Sequence, residues 1–170
     1  SRLREVISWY HLSFLDEALD HGRVFLMGLL SGLSEEALAG VCERFGMDAG
    51  HRGELVSVFQ RVEAALREFF RLPNPRPSDI YRALQGFRPE ELLFMMARTQ
   101  REEARKLISR YFTRYRHVTT ALRGRDLVAM GIPPGPRYRV LLDELLDARL
   151  NGDAASREEE VARLRAAHPE

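Results

Sequence analysis

Apolar residues recur three and four positions apart along nearly the whole chain, and no period-two alternation makes a convincing strand. That spacing places a stripe on one face of a helix and restricts the chain to an all-α fold with no substantial sheet. Leu3, Val6, Ile7, Tyr10, Phe14 and Leu15 define a first amphipathic helix, continued through Ala18 and Leu19 until Gly22 closes it. Ser34 is placed to cap a second helix. Glu35 and Glu36 stand in its first turn, where the helix dipole favours acids, and Gly46 ends it. A long helix follows from Arg52 to Leu72, with Leu55, Val56, Phe59, Val62, Leu66, Phe69 and Phe70 along one side.

Pro73, Pro75 and Pro77 then stand at alternate positions, where each removes a backbone donor and pushes the preceding residue toward extended geometry. This elbow, residues 73–77, predicts a boundary between an N-terminal helical lobe, 1–72, and a C-terminal one, 78–170. Beyond it, Ser78 is placed to cap a short helix that Gly86 closes, and Pro89 to open another rich in Leu92, Leu93, Phe94, Met95 and Met96. An arginine-rich helix runs on to Leu122. A further helix spans Tyr138 to Leu150 and stops at Asn151-Gly152. Ser156 and Glu159 form a capping box that starts a last helix ending near His168.

A chain of 170 residues with 45% hydrophobic content is long enough for a real core. No apolar run reaches the roughly 20 residues of a spanning helix, since Val24–Leu33 is short and interrupted by Gly28 and Gly32. The missing secretory pattern and the lone Cys42 point to a reducing cytoplasm, and the absence of an initial Met to excision from something longer. Cys42, flanked by Leu38, Val41 and Phe45, reads as a buried thiol, and Met95 and Met96 as core filler.

Residues able to do chemistry are sparse. No two aspartates lie two apart, as a two-metal phosphoryl site on a strand commonly needs, and there is no glycine-rich phosphate loop; the one lysine is Lys106. His11, His21, His51, His117 and His168 are scattered, without a second His or Cys at ligand spacing. Asp143 and Asp147, one turn apart, read as a solvated face. No catalytic residue and no metal ligand is assigned.

The formal net charge of +1 conceals a segregation. Between Arg98 and Asp126 the cations Arg98, Arg101, Arg105, Lys106, Arg110, Arg114, Arg116, Arg123 and Arg125 face only Glu102, Glu103 and Asp126, whereas acids prevail toward the C-terminus. A polyanion senses such local sign. Ala104, Leu107, Ile108, Tyr111, Tyr115, Val118 and Leu122 make the inward stripe of this helix, and Phe112 at its edge is expected in the core. Arg98 and Lys106 lie four residues from Glu102. Arg110, Arg114 and Arg116 have no acid three or four residues away, so they pair across to another helix or meet an external anion.

From Gly124 to Gly152 glycines and prolines set a corner. Gly124, Asp126, Leu127, Gly131, Pro134, Gly135 and Pro136 are followed by Leu141, Leu142, Leu145, Leu146 and Gly152, and then by the Ser156–Glu159 helix start. This order resembles the C-terminal region of the class II tRNA nucleotidyltransferase and poly(A) polymerase family. In that family a mixed α/β head carries the metal-binding aspartates and the nucleotide, while a helical body and tail hold the tRNA. The head's motifs are absent from this chain. The resemblance therefore implies an RNA-positioning piece without polymerase activity of its own, whose parent would use magnesium and ATP or CTP. Its partners would be tRNA or another structured RNA and the missing head. The residues expected to meet RNA phosphates are Arg98, Arg101, Arg105, Arg110, Arg114, Arg116, Arg125 and Arg137. The alternative is a helical module for dimerisation or domain docking, with the N-terminal helix and Val24–Leu33 as the adhesive surface.

Overall fold

The computed structural model describes residues 1–71 and 74–167, and within them the side chains of all but 69–71 and 167. Leu72, Pro73 and His168, which the sequence places at a helix end, in the elbow and at the last helix terminus, lie outside the described residues. The described residues form ten α-helices and one 3-10 turn, with no strand. The chain divides into two compact units, Ser1–Asn74 with Ala83–Ser109, and Pro75–Arg82 with Arg110–Glu170.

The first unit begins with α1 (Arg2–Ser13), α2 (His21–Leu30), α3 (Glu35–Arg44) and α4 (Ala49–Arg71). The first helix is shorter than its spacing predicts. Phe14 leaves helical geometry at φ −139° and ψ 70°, and its ring lies 5.0 Å from that of Tyr10. Tyr10, fully buried, donates its hydroxyl to Glu17 Oε2 at 2.6 Å, holding the following segment against the end of α1. Asp20 then accepts the Arg23 backbone N–H at 3.0 Å and caps α2. Gly22 therefore sits in the first turn of α2 rather than closing α1, and Leu15 is 83% exposed. A side chain at Gly28 would collide with Leu3, so this glycine permits the close approach of α1 and α2.

Ser34 caps α3 as expected, accepting the Ala37 N–H at 3.2 Å, and Gly46 ends it at φ 64°. Asp48 accepts the His51 N–H at 2.9 Å, which lets α4 start three residues before Arg52. Leu55, Val58, Val62 and Leu66 form its buried stripe. Helix α5 (Pro77–Leu84) precedes α6 (Pro89–Arg98), whose Leu92–Met96 run is buried as core; Cys42 is buried too. Glu91, 2% exposed, accepts the Arg88 N–H at 3.1 Å and the Arg61 guanidinium at 3.4 Å.

Within α5 Ser78 is not the cap. Asp79 closes the helix start by accepting the Arg76 N–H at 2.9 Å, and Ser78, buried, exchanges two hydrogen bonds with the Asn151 amide. The arginine-rich helix α7 (Glu102–Thr113) is also shorter than predicted. Arg114 turns away at φ −133°, a 3-10 turn covers Tyr115–His117, and the β-branched run Val118-Thr119-Thr120 is non-helical. Leu122 still reaches the core, through that non-helical segment. It packs with Leu127 of α8 (Gly124–Ala129), Leu141 and Leu145 of α9 (Arg137–Asn151) and Leu164 of α10 (Arg157–Ala167).

One side chain fastens these pieces. Glu160, fully buried, accepts the Ala121 N–H at 3.0 Å, the Leu122 N–H at 2.8 Å and the Arg149 guanidinium at 2.9 Å. The Ser156–Glu159 capping box is formed, at 3.2 and 3.3 Å. Replacing Glu160 by Ala leaves a buried amide, a half-buried amide and a cation unpaired, and is expected to cost about 3 kcal/mol. Ser156→Ala is expected to cost about 1 kcal/mol. Urea unfolding of both variants checks the order.

Candidate nucleic-acid interface

The arginines singled out from the sequence fall into different situations. In the first unit, Arg98 ends α6 and donates its Nε to Glu63 Oε1 of α4 at 2.9 Å. It does not pair with Glu102 as its spacing suggests, because Thr99 is extended (φ −69°, ψ 135°) and Arg98 and Glu102 belong to separate helices. Lys106 does take the local acids, Glu102 at 3.4 Å and Glu103 at 3.3 Å, and the hydrogen bond it donates to Glu103 raises its pKa. Arg101 is exposed in the link between α6 and α7, where its backbone N–H meets Thr99 Oγ1 at 3.2 Å. Arg105 is half-buried, and its Nε is buried without a hydrogen-bond partner among the described residues.

In the second unit, Arg110 and Arg114 are exposed, and among the described residues neither side chain has a hydrogen-bond or ion-pair partner. The Arg114 N–H donates to the Arg110 carbonyl at 2.9 Å, so the two lie one helical turn apart. A guanidinium with all its donors unspent can grip two phosphate oxygens at once. Arg116 turns inward. Its Nε donates to the Phe112 carbonyl at 2.9 Å, and its guanidinium lies 5.2 Å over the Phe112 ring. Phe112 is fully buried, in the core as expected. Arg125 is exposed on α8, and Arg137, exposed, opens α9.

The Gly124–Gly152 segment is a corner. Asp126 accepts the Arg123 N–H at 2.7 Å and the Arg157 guanidinium at 2.6 Å. The bond from Arg157 and that backbone amide hold its carboxyl below the usual carboxylate range. Gly131 and Gly152 both take φ 80°, the left-handed region that glycine enters without strain. Tyr138 donates its hydroxyl to the Ile132 carbonyl at 2.6 Å, bracing the Pro133–Pro136 run. Asp147 of α9, read as solvated, instead accepts Arg82 in a two-bond fork at 3.0 and 2.5 Å. Sixty-five residues separate that pair, so no local spacing could have revealed it.

Sequence spacing also concealed one histidine pair. His11 and His21 meet through their Nε2 atoms, their rings 4.7 Å apart, because the chain reverses between α1 and α2. Among the described residues no group of three His, Cys, Asp or Glu side chains could hold a metal ion, and no helix is long and apolar enough to cross a membrane.

These features define an all-helical protein that presents unpaired arginines and assembles no metal-binding cluster among its described residues. No family model matches the chain. Over 163 residues, 94% of its length, it is 39% identical to an A-adding tRNA nucleotidyltransferase of Geobacter sulfurreducens, of which it spans 18%. Two solved structures share its architecture. A tRNA-processing enzyme in an apo form superposes with a TM-score of 0.61 over 88% of this chain and 36% of that one, at 25% identity. A CCA-adding enzyme in complex with CTP does so with a TM-score of 0.66 over 99% and 40%, at 22% identity, a likeness of fold alone. The chain belongs with the helical region of the tRNA nucleotidyltransferases.

Two tests follow from the pairing pattern. Arg110→Ala and Arg114→Ala should each change stability by no more than about 0.5 kcal/mol, whereas Arg116→Ala should lower it by about 1 kcal/mol through its lost ring contact and hydrogen bond; thermal melts compare them. Because the folded-state pKa of Asp126 is depressed, its contribution is complete above its unfolded value and is lost as pH falls through the folded one, from about pH 4 downward. Asp126→Asn should flatten that part of the stability curve in melts at stepwise lower pH.

Proposed function

We propose that this chain binds tRNA, or another structured RNA, and positions it for a catalytic head carried elsewhere in a parent nucleotidyltransferase of the tRNA nucleotidyltransferase and poly(A) polymerase kind. The observation that carries the reading is the exposed and unpaired state of Arg110 and Arg114, in a chain related to a tRNA nucleotidyltransferase and otherwise rich in internally paired arginines. Contacts of this kind go to phosphates, so recognition is by charge and shape more than by base sequence. Arg98, Arg101, Arg105, Arg116, Arg125 and Arg137 complete the proposed set. Arg98 would contribute through its terminal donors, since its Nε is spent. Magnesium and ATP or CTP would belong to the parent's head; the described side chains do not fit a metal, and no chemical step is assigned to this chain. The compartment that suits this role is the cytoplasm.

A second reading, dimerisation or docking of other domains, is favoured by α2. Its Val24, Met27 and Leu30 are buried, while Phe25 is 41% and Leu29 75% exposed. At about 100° per residue the exposed pair points nearly opposite to the buried three, so α2 is apolar on both sides. Leu12 and Leu15 add 81% and 83% exposed leucines.

Electrophoretic shifts of tRNA at low and moderate salt test the first reading. Binding is expected at low salt and should weaken steeply as salt rises, and Arg110→Ala, Arg114→Ala and Arg116→Ala combined should reduce it by roughly tenfold or more. Absent binding at low salt, or binding indifferent to the triple change, overturns the arginine surface. A salt-resistant dimer in light scattering that ignores tRNA supports the docking reading instead.

A further inference from the structure

A cavity of about 310 Å³ opens in the first unit, with Phe59, Gln60, Glu63 and Arg67 of α4 and Phe94 and Arg98 of α6 in its lining. It arises from two helices presenting matched rungs. Phe59 and Glu63 stand one turn apart on α4, and Phe94 and Arg98 one turn apart on α6. The phenylalanine rings meet at 5.7 Å and 51°, and the next rung is the Glu63–Arg98 ion pair at 2.9 Å. One turn further along α4 comes Arg67, exposed and without a hydrogen-bond or ion-pair partner among the described residues; Gln60 is in the same state. Phe94 is 3% exposed, whereas Phe59 is only half-buried and offers part of its ring to the opening.

We infer that this cavity binds a single nucleotide, its base against Phe59 and its phosphate on Arg67 and the terminal nitrogens of Arg98. An aromatic platform accepts any base through its π-face. The structure gives the Arg98 guanidinium one hydrogen bond among the described residues, through Nε, so its remaining donors are open to phosphate oxygens. Beside the platform, the Gln60 amide and the Glu63 carboxylate supply both donor and acceptor for a base edge. An acidic peptide would engage the arginines and leave Phe59 uncovered. A purely apolar ligand would cover Phe59 and dehydrate the Glu63–Arg98 pair without replacing its water. A nucleotide satisfies both parts. It comes either as a free mononucleotide or as an unpaired nucleotide of a bound RNA; in the second case the inference deepens the proposed RNA role.

The test is amide NMR of the isotope-labelled 170-residue chain, titrated separately with AMP, adenosine, inorganic phosphate and a short single-stranded oligoadenylate. AMP and the oligonucleotide are expected to shift amides around Phe59–Arg67 and Phe94–Arg98. Phe59→Ala should weaken both by about tenfold. Arg67→Glu, at an exposed position that leaves the helical circular dichroism unchanged, should weaken AMP and spare adenosine. Tighter binding of AMP identifies a free nucleotide as the occupant, and tighter binding of the oligonucleotide an RNA strand. Silence toward both, shifts confined to other residues, or inorganic phosphate matching AMP overturns the site. If salt-dependent tRNA binding persists while AMP has no effect, the cavity fails alone; if AMP binds and tRNA does not, the arginine surface fails alone.

Discussion

In each unit a glutamate is buried, and the surrounding chain depends on how its charge is satisfied. An ionised carboxylate in a protein interior is strongly unfavourable unless hydrogen bonds and a cation replace its water. Glu160, fully buried, meets that demand by taking two successive backbone amides, Ala121 and Leu122, and the Arg149 guanidinium. Those amides belong to a non-helical segment that has no helical partners to offer them. The carboxylate thereby fixes α10, α9 and the descent toward α8 in one arrangement, and Leu122, Leu127, Leu141, Leu145 and Leu164 close around it. In the other unit Glu91 takes the Arg88 amide and Arg61, with Arg23 4.0 Å away.

The same constraint governs the distribution of arginine. Arg61, Arg149, Arg82 and Arg157 each neutralise an acid within their own unit, so part of the positive charge in this composition is framework. Arg110 and Arg114 in one unit, like Arg67 in the other, carry the same fork without a partner among the described residues. The Gly124–Gly152 segment has a related division of labour. Its glycines, prolines and Asp126 build a rigid turn, and the segment signals kinship while the unpaired Arg110 and Arg114 lie before it in the chain.

Much of the architecture was legible from local rules. Ser34, Pro89, Ser156 with Glu159, and Gly152 mark helix ends where those residue types satisfy or release backbone groups, and each does so within one turn. The errors have a common physical origin. The first helix and α7 both carry apolar spacing past their true ends, because Phe14 and Leu122 reach buried or packed positions without helical geometry. Ser78 looked like a cap and serves instead as a partner for Asn151, a contact between residues 73 positions apart. Of the eight candidate arginines, sequence identified the cations but not their occupancy. The partner of Arg98 lies on α4, and that of Arg116 is the carbonyl and ring of a core phenylalanine.

By itself the sequence determined that the chain is all helical and that it turns a corner after Gly124, because periodicity, caps and glycine-proline punctuation act over a few residues; the order of residues in that corner carried the resemblance to the tRNA nucleotidyltransferases. Only the tertiary structure decided which helices share a core, with Ala83–Ser109 joining the N-terminal helices and Pro75–Arg82 the C-terminal ones. It alone decided which charges are spent, since burying Glu91 and Glu160 recruits partners from wherever the fold brings them. Long-range pairing has no local signature, and it is the selection of those partners that leaves Arg110, Arg114 and Arg67 open to a ligand.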